Sequence, residues 1–229
     1  MVRPQESVLT PSVARPWQPL TLGAFWLGFV TYAFFLSPPS TPDTLDTLRQ
    51  LSTGQWAGLN PMVVVLFNLM GLWPVVYAAL ALTDGRDQTI PAWPFVIGSF
   101  ALGAFALMPY LALRKSTTHL PYRPADTALL KWLNHRLVGI GIVIATLLLV
   151  AYGLTQAEGY KTVQDFYMQF ATSQFIHVMS LDFCMLTLLT PSIMWDDMSR
   201  RQVPWLWRCF SLLPLLGPGL YIALRPAKQ

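Results

Sequence analysis

Within FIHVMSLDFCML, residues 175–186, a histidine and an aspartate stand five positions apart in an otherwise apolar run. Asp182 lies ten residues beyond Thr172, a depth of about 15 Å in a helix and therefore near the centre of a bilayer. A carboxyl group there costs about 2.5–3.5 kcal/mol to insert, so it must face protein or water and find a partner. Two chemistries suit it. A buried carboxyl can act as a general acid, a proton relay or a ligand contact; it can equally hydrogen-bond a neighbouring helix as structural glue. His177 is about half as deep, and five residues rotate a helix by about 140°, so its ring does not stack on the Asp182 carboxyl. The two side chains can still converge on one cavity from adjacent flanks. His177 also suits axial ligation of a chlorophyll, for which one imidazole suffices. A bis-histidine haem needs a second buried ring, and the other candidate, His135, sits at the edge of a span, so neither haem nor a metal is expected.

The elements that must position these residues are set by composition. Of 229 residues, 54% are apolar and only 11% charged, against about 25% charged in an ordinary soluble domain. The apolar residues gather into six runs, 20–36, 61–82, 93–113, 137–154, 170–195 and 205–224, each close to the roughly 20 residues that cross a hydrocarbon core. The expected fold is all-α, a polytopic integral membrane bundle of about six spans. Alternating ten-residue segments, the mark of a membrane β-barrel, are absent. The first run lacks a small-residue cleavage pattern and is expected to be a retained helix rather than a signal peptide. Cys184 and Cys209 fall inside runs and imply no disulfide framework. The net charge of +4 fits basic residues beside membrane spans and does not point to nucleic acid.

Two segments read alike. NLMGLWPVVYAALALTDGRDQTIPAWPF begins at Asn68 and leads to MPYLALR; DFCMLTLLTPSIMWDDMSRRQVPWLW begins at Asp182 and leads to PGLYIALR. Asn68, Arg86 and Gln88 match Asp182, Arg200 and Gln202 at one offset, and Tyr110 through Arg114 match Tyr221 through Arg225. This divides the chain into a tail (1–19), a first three-helix half (20–114), a basic loop (115–135) and a second half (136–229). Three spans per half would make the repeats inverted, and inverted repeats place sites near the midplane where the halves meet. Asn68 and Asp182 would then be equivalent ligand-contacting positions. On the six-span reading, the loops after the odd-numbered spans carry nine Lys and Arg against six elsewhere. That bias puts the loop from Arg114 to Arg136 on the cytoplasmic side and both termini opposite. The turns holding Asp84 and Arg86, and Asp196, Asp197, Arg200 and Arg201, read as interfacial salt bridges that anchor topology. No phosphate-binding loop, dinucleotide fingerprint or nucleophile elbow is present.

The last 50 residues resemble the neoxanthin-synthase-like membrane proteins of plants and cyanobacteria. The resemblance rests on I-H-x-x-x-x-D at Ile176, His177 and Asp182, the turn from Asp197 to Arg200, and the closing LLPLLGPGLY. It implies a photosynthetic membrane, thylakoid or cyanobacterial plasma membrane, and a tie to xanthophyll or other isoprenoid metabolism, with His177 and Asp182 as the positions carried over. Three functions are then expected to compete. In the first, the chain isomerises or rearranges a carotenoid-like lipid with Asp182 as acid and His177 as orienting group. In the second it is a non-enzymatic accessory, assembly or pigment-binding subunit of a photosynthetic complex, holding carotenoid or chlorophyll. In the third it is a small transporter with Asn68 and Asp182 on the pathway. The lipid bilayer is a partner in all three.

Overall fold

A computed structural model describes residues 18–85, 88–115 and 128–226. Most of the tail, Arg86 and much of the basic loop lie outside these. Among the described residues the secondary structure is helical throughout. Four helices are long and apolar enough to cross a membrane: Pro19–Leu36, Pro61–Asp84, Arg136–Gln156 and Gln174–Arg200. The first of these is α1 (Gln18–Thr31), extended by a π-helical turn over Tyr32–Leu36. The others are α3 (Pro61–Asp84), α7 (Arg136–Gln156) and α9 (Gln174–Arg200).

The remaining apolar runs are each broken into two shorter segments that fold back on each other. Residues 93–113 form two helices, α4 (Trp93–Leu102) and α5 (Ala104–Leu113), joined at Gly103. Gly103 has φ +50°, a conformation that side chains disfavour, and there the chain folds back on itself. A Cβ on Gly98 would lie 3.2 Å from that of Ala106, and the Phe95 and Tyr110 rings are 5.8 Å apart. The Gln88 carboxamide closes the mouth, accepting from the Lys115 N–H and donating to its carbonyl, both at 2.7 Å. Each ten-residue arm spans about 15 Å, half a hydrocarbon core. Residues 205–224 repeat the arrangement: a 3₁₀ helix, Trp205–Leu212, folds back onto α10 (Leu216–Leu224). Trp207 packs edge-on against Tyr221, and a Cβ on Gly217 would overlap the Phe210 carbonyl. The six expected spans are therefore four long helices and two hairpins. Hydropathy cannot see this, because a run of 21 apolar residues has the same composition whether it crosses or turns back.

The inverted arrangement is also absent, since α3 and α9 run in the same direction. Val63 and Val64 cluster with Ile176 and Met179 at one end, and the Tyr77 hydroxyl donates to the Leu186 carbonyl in the middle. At the other end Asp84 pairs with Arg200. Around this central pair, α1 packs on the first hairpin, with Phe29 and Phe105 stacked at 4.3 Å and Trp26 Nε1 donating to the Phe105 carbonyl. On the other flank, α7 packs on α10 so closely that a Cβ on Gly139 would meet the backbone of Gly219 and Ala223. Small residues at such crossings let helices associate in lipid, where apolar burial gives little driving force. Two further helices, α2 (Thr44–Thr53) and α8 (Tyr160–Thr172), are amphipathic. They carry exposed Leu45, Tyr160 and Tyr167, as helices lying in a membrane interface do. The short α6 (Ala128–Leu133) precedes α7.

Candidate functional site: the buried polar groups

Asp182 sits in the middle of α9, 4% exposed. Its Oδ1 accepts the Ala104 backbone N–H at 2.8 Å. Ala104 is the first residue of α5, where the chain has just turned, so that N–H has no partner within its own helix. Asp182 therefore caps the tip of the first hairpin from a different helix. The fit requires Gly103, because a Cβ there would overlap the Asp182 carboxylate. An intramembrane acid and a glycine 79 positions earlier in the chain are thus one structural device. The carboxylate oxygen and the partial positive charge of the helix N-terminus also attract each other.

His177 is not brought to Asp182 by any shared contact. Its Nε2 pairs with the Tyr32 hydroxyl at 2.8 Å and its Nδ1 with the Phe170 carbonyl at 2.9 Å. The Phe170 ring stacks on it at 4.2 Å. His177 thus ties the π-helical turn after α1 to α9 and to the end of α8. Gln174 adds to this tie, donating to the Ala33 carbonyl and to Ser37. Both ring nitrogens are engaged, so ligation of a chlorophyll by His177 would have to break one of these bonds. Asn68 is half-buried and donates to the Val64 carbonyl one turn back on α3. It does not join Asp182 in a hydrogen-bonded set: its carboxamide bonds within α3, whereas Asp182 bonds Ala104.

The richest polar chemistry lies elsewhere, at the hairpin mouths. The Asp84 carboxylate, at the end of α3, accepts the Tyr110 hydroxyl at 2.9 Å. It pairs with Arg114 at 3.3 Å and also with Arg200, while Arg114 reaches Asp196 at 2.8 Å and the Ser192 carbonyl at 2.9 Å. The Asp197 carboxylate, near the end of α9, accepts the Tyr221 hydroxyl at 2.8 Å and pairs with Arg225 at 3.0 Å and Arg201 at 2.9 Å. Asn134 Oδ1 accepts from Arg225 at 2.9 Å. Asp84 and Asp197, read from the sequence as interfacial salt-bridge anchors, are buried together with Arg114 and Arg225, which that reading did not include: all four side chains are at most 2% exposed. The signal that points to them is the repeated Tyr-x-x-x-Arg at residues 110–114 and 221–225. An Arg one helical turn after a Tyr puts both side chains on one face, where a single carboxylate can take both.

What this arrangement does chemically is fix backbone geometry: one acid holds a hairpin tip, and two acid–Tyr–Arg sets hold the mouths. No family model, no curated protein and no solved structure matches this chain.

Proposed function

We propose that the protein is a non-enzymatic accessory or assembly subunit of a photosynthetic membrane, binding a carotenoid-like isoprenoid or related pigment along its lipid-facing helices. The observation that carries this reading is the commitment of Asp182 and His177 to contacts that hold helices together. The acid that a rearranging enzyme would use is capping Ala104, and the imidazole that would orient a substrate is bonded through both nitrogens. An elongated apolar ligand needs uncovered apolar surface, and α1 and α7 supply it: only 11% and 17% of their most apolar windows are buried. The photosynthetic setting and the isoprenoid class come from the resemblance of the last 50 residues to the neoxanthin-synthase-like proteins.

In this reading the chain is two copies of one unit: a lipid-facing span, an interfacial amphipathic helix, a long central helix, and a hairpin ending in Tyr-x-x-x-Arg. Each unit crosses twice, so the copies lie parallel. The mouths of both hairpins and the start of α7 share one face. That face carries eight of the ten described Lys and Arg residues, and only Arg49 and Lys161 lie at the other. The positive-inside rule then places the mouths and the described ends of the chain on the cytoplasmic side, not on opposite sides as six spans would require.

Pigment and complex analysis of a deletion strain, alone and complemented with Asp182→Asn, tests the proposal. The deletion should deplete a pigment–protein complex without accumulating a carotenoid precursor, and Asp182→Asn should restore it, because a carboxamide oxygen still accepts the Ala104 N–H. Precursor accumulation in both strains would make Asp182 a reacting group and overturn the proposal.

A further inference from the structure

Opposite the hairpin mouths, a cleft of about 500 Å³ opens between the start of α3 and the end of α7, within the roughly 300–1,000 Å³ range of ligand pockets. Its floor is built rather than incidental. Asn60, 7% exposed, caps α3 by accepting the Met62 N–H and donates to the Thr162 carbonyl and to Asp165 at 2.7 Å. One wall is aromatic, with Trp56 and Tyr152 edge to face at 5.3 Å. The rim carries Gln156 and the pair Glu158–Lys161, 2.7 Å apart. The hydrogen bond from the Lys161 ammonium holds the Glu158 carboxyl below its usual range, so the two charges neutralise each other. Asp165 then leaves the lining with a net negative charge, which disfavours phosphate and other anions.

We propose that this cleft binds the neutral, multiply hydroxylated headgroup of a membrane lipid. Amide and carboxylate groups beside an aromatic wall match hydroxyls, which both donate and accept, on a ring with an apolar face. The source is a lipid rather than a free sugar because of where the cleft opens. Tyr152 and Gln156 belong to the last turns of α7, and one and two turns before Tyr152 the same face of that helix carries exposed Leu148 and Ile144. A lipid whose head fills the cleft has its acyl chains laid along that face. The headgroup site does not rest on the pigment-binding proposal, and a lipid held there would share the outward surface of α7 with a pigment.

The test uses the full chain purified in a zwitterionic detergent, since a maltoside would itself offer a sugar. Native mass spectrometry would compare retention of monohexosyl diacylglycerol with that of phosphatidylglycerol and unglycosylated diacylglycerol, and measure competition by free hexose. Preferential retention of the hexosyl lipid is expected. Gln156→Leu, at an exposed position, should weaken retention about fivefold through one lost hydrogen bond. Trp56→Ala should weaken it as well, with elution as a monodisperse species confirming the fold of both variants. Equal or better retention of phosphatidylglycerol, equal retention of diacylglycerol, no effect of either substitution, or free hexose competing as well as the lipid would each overturn the assignment.

Discussion

Asp182 shows why a rare residue type is an incomplete guide to chemistry. Its depth in the membrane was legible from position alone, as was its need for a partner. The partner was not, because Ala104 contributes a backbone N–H that has no sequence signature, and Gly103 looks like any glycine in an apolar run. The capping role makes three substitutions informative. Asp182→Asn should fold like the parent. Asp182→Leu should lose about 1–2 kcal/mol, the value of a helix cap, read as a lower melting temperature in detergent. Gly103→Ala removes no polar group, yet should cost at least the roughly 1–3 kcal/mol of a strained backbone conformation, because the new methyl also displaces the Asp182 carboxylate. His177 is legible in the same partial way. Its burial was expected, but Tyr32 stands 145 residues away, and no local pattern connects them. His177→Ala should loosen the π-helical turn over Tyr32–Leu36, raising amide hydrogen exchange there and leaving the hairpins protected.

At the level of elements, the apolar runs located the four long helices but not α2, α6 or α8, and two of the runs hide a fold-back. Residues 93–113 and 205–224 have the length of spans, and only the backbone at Gly103 and Leu215 turns them into hairpins; Leu215 too has positive φ, +57°. The matching Tyr-x-x-x-Arg ends were visible in the sequence, whereas their shared carboxylates were not, because Asp84 and Asp197 come from the preceding long helices. These sets should behave as buried ion pairs, for which removing one partner costs about 3–5 kcal/mol. Asp197→Ala is expected to cost that much, since Arg225 and Arg201 would be left facing each other. Tyr221→Phe should cost less, about 1.5–3 kcal/mol, one hydrogen bond to a charged group. Equal effects of the two substitutions would mean that the arginines do not depend on Asp197. The Arg225→Met, Asp197→Leu double variant, which removes the acid together with one of its two arginines and leaves only Arg201 without its acid, should be milder than Asp197→Ala alone.

Across the whole molecule, membrane character and helical class follow from composition, while topology depends on how many runs cross. Six crossings predict inverted halves and a weak charge bias; four crossings and two hairpins give parallel halves, with described basic residues concentrated on one face. The Gln88–Lys115 bonds at the first mouth join two residues that a crossing helix would hold about 30 Å apart. The most direct test is therefore side-specific labelling of single cysteines in intact membranes, in a background with Cys184 and Cys209 replaced by serine. Thr89→Cys and Lys115→Cys, on either side of the first hairpin, should react with an impermeant maleimide from the same face. Gln156→Cys should react from the other. Labelling of positions 89 and 115 from opposite faces would contradict the hairpin, the parallel halves and the capping role of Asp182 together.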